Sequence, residues 1–266
     1  MADVFRGIWV VAYRELLRFV QERARMFSSF AQPLLFLVIF GAGFNRLIGT
    51  MTPGIDFIQF MYPGIIAMSV LMSSIMSGVS IVWDREFGFL REILVAPLGR
   101  SGIVLGKATG SAVVAVIQGI VMLVLAPFLK VSISPIMVLQ LIPVLIIISM
   151  SLSGLGVLIA SRMRSQQGFM IIIQIIIMPL VFLSGVFFPV NNVPVWLEVI
   201  SKVNPLTYGV DAIRQLFLSG AAGQGSYALG LTIGGHTMTI LEDMLIVAIF
   251  GIILLSLAAW FFSKQE

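Results

Sequence analysis

The chain has 266 residues, of which 59% are apolar and only 11% charged. Soluble domains carry about 25% charged residues, and at this length so thin a charged coat cannot cover that much apolar side chain. A soluble enzyme and a disordered tail are therefore excluded, and lipid is the solvent for most of the chain. There is no Cys, hence no disulfide and no thiolate metal site, and the net charge of +4 matters less than where the charges fall.

In chain order, residues 1–27 come first. Arg6, Arg14, Arg18, Arg23 and Arg25 are scattered among apolar residues, with no separate apolar core and no small-residue cleavage site, so this is not a signal peptide. Val4–Arg25 predicts an amphipathic helix. Phe5, Ile8, Ala12, Leu16 and Phe19 recur at spacings of three and four, while Arg14, Arg18 and Arg25 take another face. Such a helix lies in the membrane interface with its basic side toward anionic headgroups.

Six apolar runs follow, each long enough to cross a bilayer: Ser28–Ile48, Phe57–Val82, Lys107–Leu129, Ile136–Ser161, Gly168–Phe188 and Met244–Phe262. None alternates with period two, and backbone amides in hydrocarbon need internal partners, so the runs predict helices. Twelve of the sixteen Lys and Arg fall on the leader, the even-numbered loops and the C-terminal tail, which puts both termini in the cytoplasm. Near the middle of the runs there is no Asp, Glu, Lys or Arg, which argues against a proton- or ion-coupled carrier. Gln118 and Gln174 are the polar residues placed to touch a transported molecule, although such residues more often bond across helix contacts. Gly106-x-x-x-Gly110 permits close helix packing against an unspecified partner.

Chemistry is sparse. The nearest text to a phosphate-binding loop, Gly102 to Ala108, is one residue too short and ends in Ala, so ATP hydrolysis would belong to another chain. His236 is the single histidine and has no obvious partner, so neither a catalytic group nor a metal site is expected. Asp211 and Arg214, three apart, predict an ordinary surface pair.

Two segments carry more information. After the second run, Trp83, Phe87, Leu90 and Leu94 fall on one helical face, ringed by Asp84, Arg85, Arg91 and Glu92, with Pro97 and Gly99 as a stop. The mixed signs favour a protein groove over anionic lipid. The second segment runs from Leu183 to Asp243. A short helix from Pro194 and a second, capped by Asn204 or Thr207 and reaching to about Leu218, are each too short to cross, and Trp196 and Tyr208 suit the membrane–water boundary. Ser219–Thr239 is Gly-rich and predicts a loop.

On these segments the chain resembles the membrane subunit of a type-2 ATP-binding-cassette (ABC) exporter, the family that includes drug-resistance and polysaccharide-export permeases. The first motif is carried by Asp84, Arg85, Glu86, Phe87, Gly88, Leu90, Glu92 and Leu94, with Asp84, Phe89 and Ala96 departing from the usual Glu, Thr and Thr. The second is carried by Ser184, Gly185, Phe188, Pro189, Asn204, Pro205, Leu206, Tyr208, Asp211 and Arg214. The resemblance implies one all-α integral membrane domain over residues 1–266. It would have six transmembrane helices, a cytoplasmic interfacial helix (1–27), a cytoplasmic coupling loop (83–106) and an extracellular re-entrant region (189–243). It also implies a plasma-membrane half-permease that pairs with a second copy, docks on a separate ATPase subunit holding ATP and Mg, and exports its substrate. The charge-free interior points to a hydrophobic or amphipathic cargo, a drug or lipid-like molecule. A polysaccharide or glycolipid permease of the same family is the alternative, and an ATP-independent carrier or channel comes behind it. No nucleic-acid partner is expected.

Overall fold

The computed structural model describes residues 2–48, 57–88, 100–129, 131, 133–219, 230–233 and 235–263. Its helices are α1 (Ala2–Gln21), α2 (Arg23–Ile48), α3 (Phe57–Met76), α4 (Val79–Glu86), α5 (Arg100–Leu125), α6 (Pro135–Arg162), α7 (Gln166–Phe182), α8 (Val195–Val203), α9 (Pro205–Ser219) and α10 (Ile240–Ser263). A two-residue hairpin, β1 (Thr232–Ile233) with β2 (His236–Thr237), precedes α10. The fold is all-α, as the absence of period-two alternation predicts.

α3 is the axis of the bundle. Its residues from Phe60 to Leu71 are buried on every side, by α2, α5, α6 and α9 in particular. α10 lies along α6 and leaves Leu241, Leu245, Ile249 and Ile252 exposed on its outer side. Apolar side chains presented in such a row require lipid around them. Buried serines join the inner helices: Ser74 Oγ donates to Ser149 Oγ at 2.8 Å, Ser111 and Ser149 lie 3.0 Å apart, and Ser77 and Ser153 lie 2.9 Å apart.

Four stretches are long and apolar enough to cross a membrane: Phe57–Glu86, Gly102–Leu129, Pro135–Arg162 and Ile240–Phe261. A fifth arises if Phe5–Gln21 and Met26–Gly41, which meet at a bend of 70°, count as one. The expected fifth run, Gly168–Phe188, is helical only to Phe182. There the chain turns through Ser184 and Gly185, whose φ of 79° ends the helix. The remaining 17-residue helix is about 25 Å long, against about 30 Å of hydrocarbon.

α1 lies along α5, and this contact identifies the partner of the small-residue pattern. A Cβ at Gly106 would stand 2.7 Å from Val11 Cβ, and one at Gly110 would stand 2.8 Å from Glu15 Cβ. Only glycine lets the two helices approach so closely. The expected stripe of Phe5, Ile8, Ala12, Leu16 and Phe19 straddles two faces. Gly7, Val11, Glu15 and Phe19 are the buried ones, while Phe5, Trp9 and Tyr13 form an exposed aromatic row. Contact with α5 rotates the leader so that a narrow, mostly small stripe faces inward and the large rings face outward.

Candidate functional site

The first part of the first motif, Asp84 to Gly88, sits at the end of α4, and each of its three charged residues holds a different element. Asp84, buried although charged, accepts from Arg14 Nη2 at 2.6 Å and from Arg18 Nη2 at 3.3 Å, both on the leader. Arg85 Nη1 donates to Ser161 O at 3.1 Å and Met163 O at 2.6 Å, filling carbonyls at the C-terminus of α6. Glu86 Oε2 accepts from Gln166 N at 2.9 Å, on the first residue of α7. A carboxylate there also complements the positive end of the helix dipole. The three consecutive side chains thus join the leader, α6 and α7 to the end of α4.

One helical turn back lies a second cluster that sequence reading did not find. Glu15 Oε1 accepts from Lys107 Nζ at 2.6 Å and from Ser80 Oγ at 2.9 Å, and Lys107 also reaches Ser80. Glu15, Ser80 and Lys107 are all buried. Burial alone would raise the Glu15 pKa, but Lys107, Ser80 and Arg18 outweigh it and hold the carboxyl below its ordinary value. The only signal in the sequence was a carboxylate four residues after Val11 on the face that meets α5.

Beyond Glu86 the expected amphipathic helix does not continue from Trp83. α4 ends, Phe87 caps it, and Gly88 takes φ 81°, a left-handed turn that stops the helix. Trp83 and Phe87 are exposed and meet edge to face with centroids 6.0 Å apart. Leu90, Glu92 and Leu94, with the rest of 89–99, lie outside the described residues.

The second motif closes the opposite end. Asn204 caps α9 by accepting from Leu206 N at 3.0 Å, and its amide donates to Leu180 O at 2.7 Å near the end of α7. Pro205 takes the first helical position and Leu206 is fully buried. Ser184 Oγ bonds Val181 O at 2.7 Å, while Phe188 and Pro189, half-buried, lead to the short turn Val190–Asn192. Arg214 Nη2 donates to Gly185 O at 2.6 Å and its guanidinium lies 4.1 Å from the Phe60 ring centroid. Burial pushes the Arg214 pKa down to about 10, against the pull of Asp211. Asp211 is buried too, and accepts from Gln215 Nε2 at 2.8 Å and Leu231 N at 3.1 Å. Asp211 and Arg214, expected as a surface pair, are therefore both interior residues, and each ties α9 to a different neighbouring loop. Tyr208, expected at the boundary, is turned inward onto Lys202 O at 2.6 Å, whereas Trp196 is exposed. His236 also has a partner: its Nε2 lies 3.2 Å from Glu242.

Gln118 and Gln174 both line cavities. One, of about 420 Å³, opens among α1, α2, α3, α4, α5 and α7, and includes Gln118, Gln32 and Trp83. The other, of about 230 Å³, includes Gln174, Phe36 and Phe187. Gln32, Met72, Met76 and Met170 border both cavities. Among the described residues no group of three His, Cys, Asp or Glu is placed to hold a metal.

Residues 6–218 match the family model described as ABC-2 type transporter. The chain belongs to the ABC-2 type transporter family. It is 30% identical to a protein of Cyanophora paradoxa named as a transport permease, ycf38, over 79% of this chain and 73% of that one. It is 32% identical to a protein of Escherichia coli K12 named as a multidrug ABC transporter permease, YbhR, over 64% of this chain and 46% of that one. Nodulation protein J of Rhizobium meliloti is 27% identical over 79% of each chain. The protein is thus a multi-pass ABC-2 permease, and membership of the family implies a partner ATP-binding-cassette subunit.

Proposed function

We propose that this ABC-2 permease exports a hydrophobic or amphipathic molecule, a drug or lipid-like compound, using ATP and Mg bound by a separate ATPase subunit. The observation that carries the reading is the convergence on Asp84, Arg85 and Glu86. These residues connect three elements to one exposed aromatic pair, Trp83 and Phe87, so a push on that pair reaches the leader, α6 and α7 together. A partner ATPase would supply the push through residues 84–94. The chain itself contributes no catalytic group.

In this reading α2, α3–α4, α5, α6, α7 and α10 are six transmembrane helices. α7 completes its crossing through the turn that follows it. Both termini and the 83–106 loop are cytoplasmic, in the plasma membrane. α1 lies at the inner interface with its aromatic row in the lipid, and α8 and α9 re-enter from the outside. A second copy of the chain pairs with this one, and the cavities bearing Gln118 and Gln174 face the cargo. A name for multidrug transport among the relatives supports a drug-like cargo over a polysaccharide. The test is vesicles containing the permease with its ATPase subunit. Mg-ATP should drive a lipophilic dye across, and vesicles holding the permease alone should not. Nucleotide-independent transport by the permease alone would contradict the reading.

A further inference from the structure

The larger cavity carries an inference about what it recognises. Gln118 is among its lining residues, is 0% exposed, and has no hydrogen-bond partner at either Oε1 or Nε2. A buried primary amide with both ends unbonded pays its full desolvation penalty with no return from packing. The nearby serines do not relieve it, since Ser111, Ser149 and Ser74 bond one another. This is an interior glutamine held ready for something that enters.

The charges around the cavity narrow the choice. Glu15 is engaged by Lys107 and Ser80, Arg18 by Asp84, and Glu22 also has a partner. Among the described residues that line the cavity, each charged side chain already has an oppositely charged or hydrogen-bonding partner. The wall is Phe19, Met72, Met76, Val114 and Met170, and the methionines are unbranched and adapt to irregular apolar shapes. A volume of about 420 Å³ suits a small molecule. Of the four residues shared with the second cavity, Met72, Met76 and Met170 continue the apolar wall toward Phe36, Phe182 and Phe187, and Gln32 adds a polar edge.

We propose that Gln118 is the headgroup-recognition residue of a site within a single chain. The site takes an uncharged amphiphile whose head, a hydroxyl or an amide, both donates and accepts, with its apolar tail directed along Met72 and Met170. Because Gln118 is fully buried, entry requires neighbouring side chains to move off the amide. The proposal rests on the export reading only in treating this ligand as cargo.

Trp83 borders the cavity and serves as the reporter once Trp9, Trp196 and Trp260 are replaced by Phe. The purified permease, without its ATPase, is titrated with three probes of equal brominated chain: a monoacylglycerol, an alkyltrimethylammonium and an alkyl phosphate. The monoacylglycerol should quench Trp83 saturably and more tightly than either charged probe. Gln118→Leu should weaken it about tenfold while raising the melting temperature, because an unbonded amide is removed. Met72→Phe, which narrows the cavity without adding a tryptophan, should weaken it as well. Unchanged affinity in both variants, tighter binding of a charged probe, or a lower melting temperature for Gln118→Leu would overturn the proposal. Gln118-dependent binding in a permease that fails ATP-driven export would keep the site and sink the export reading. Export without Gln118-dependent quenching would sink the site alone.

Discussion

Arg14 and Asp84, seventy residues apart, meet at 2.6 Å with the carboxylate buried. The contact ties the leader helix to the end of the second span, so neither element moves independently of the other. Truncating Asp84 leaves two arginines unmatched. Asp84→Ala should therefore cost about 1.5–3 kcal/mol in thermal stability, the range for a hydrogen bond to a charged group. A double-mutant cycle of Arg14→Ala with Asp84→Ala should give a coupling energy above about 0.5 kcal/mol. Additive effects would show the pair to be idle.

Glu15 and Lys107 are both buried, so removing either partner strands a charge. Lys107→Met and Glu15→Gln should each destabilise the purified protein by about 3–5 kcal/mol. The double variant should recover most of that loss, because the charge left behind is gone. Thermal unfolding of the three variants checks this, and a double variant as unstable as the sum of the singles would contradict it.

Gly106 and Gly110 set the distance between α1 and α5. Gly106→Leu should push the leader off α5 and break the Glu15 and Asp84 contacts together. Protease cleavage within residues 1–27 should accelerate severalfold, while the bundle remains intact. Cleavage at the wild-type rate would mean that the close approach is dispensable.

Arg214 ties α9 to the Gly185 turn, far from Asp84. Arg214→Ala and Tyr208→Ala should slow export and lower stability by about 1–3 kcal/mol, with co-purification of the ATPase unchanged. Loss of ATPase binding in these variants would show that the two motifs are not at opposite ends.

The helical runs were legible because hydropathy over twenty residues is set by the lipid, and that signal is local. The cap at Asn204 was legible for the same reason: it depends on neighbours within one turn. Glu15 with Lys107, ninety-two residues apart, was not, since no periodicity joins them. The leader was misread by part of a turn because its polarity was judged against lipid alone, whereas the glycines of α5 decide which stripe turns inward. Asp211 and Arg214 looked like a surface pair because spacing reports a shared helix face but not what covers it. The fifth run was overextended because hydropathy does not register the left-handed turn at Gly185.

The chain has no Cys, so a single Phe87→Cys gives a unique label at the exposed end of α4. In membranes containing the permease and its ATPase subunit, a short bifunctional maleimide at this position should crosslink to the ATPase, and adding ATP should change the yield. A membrane-impermeant maleimide added outside intact cells should leave the position unlabelled. Labelling from outside, with no crosslink to the ATPase, would contradict the claim that this permease is driven through Asp84, Arg85 and Glu86.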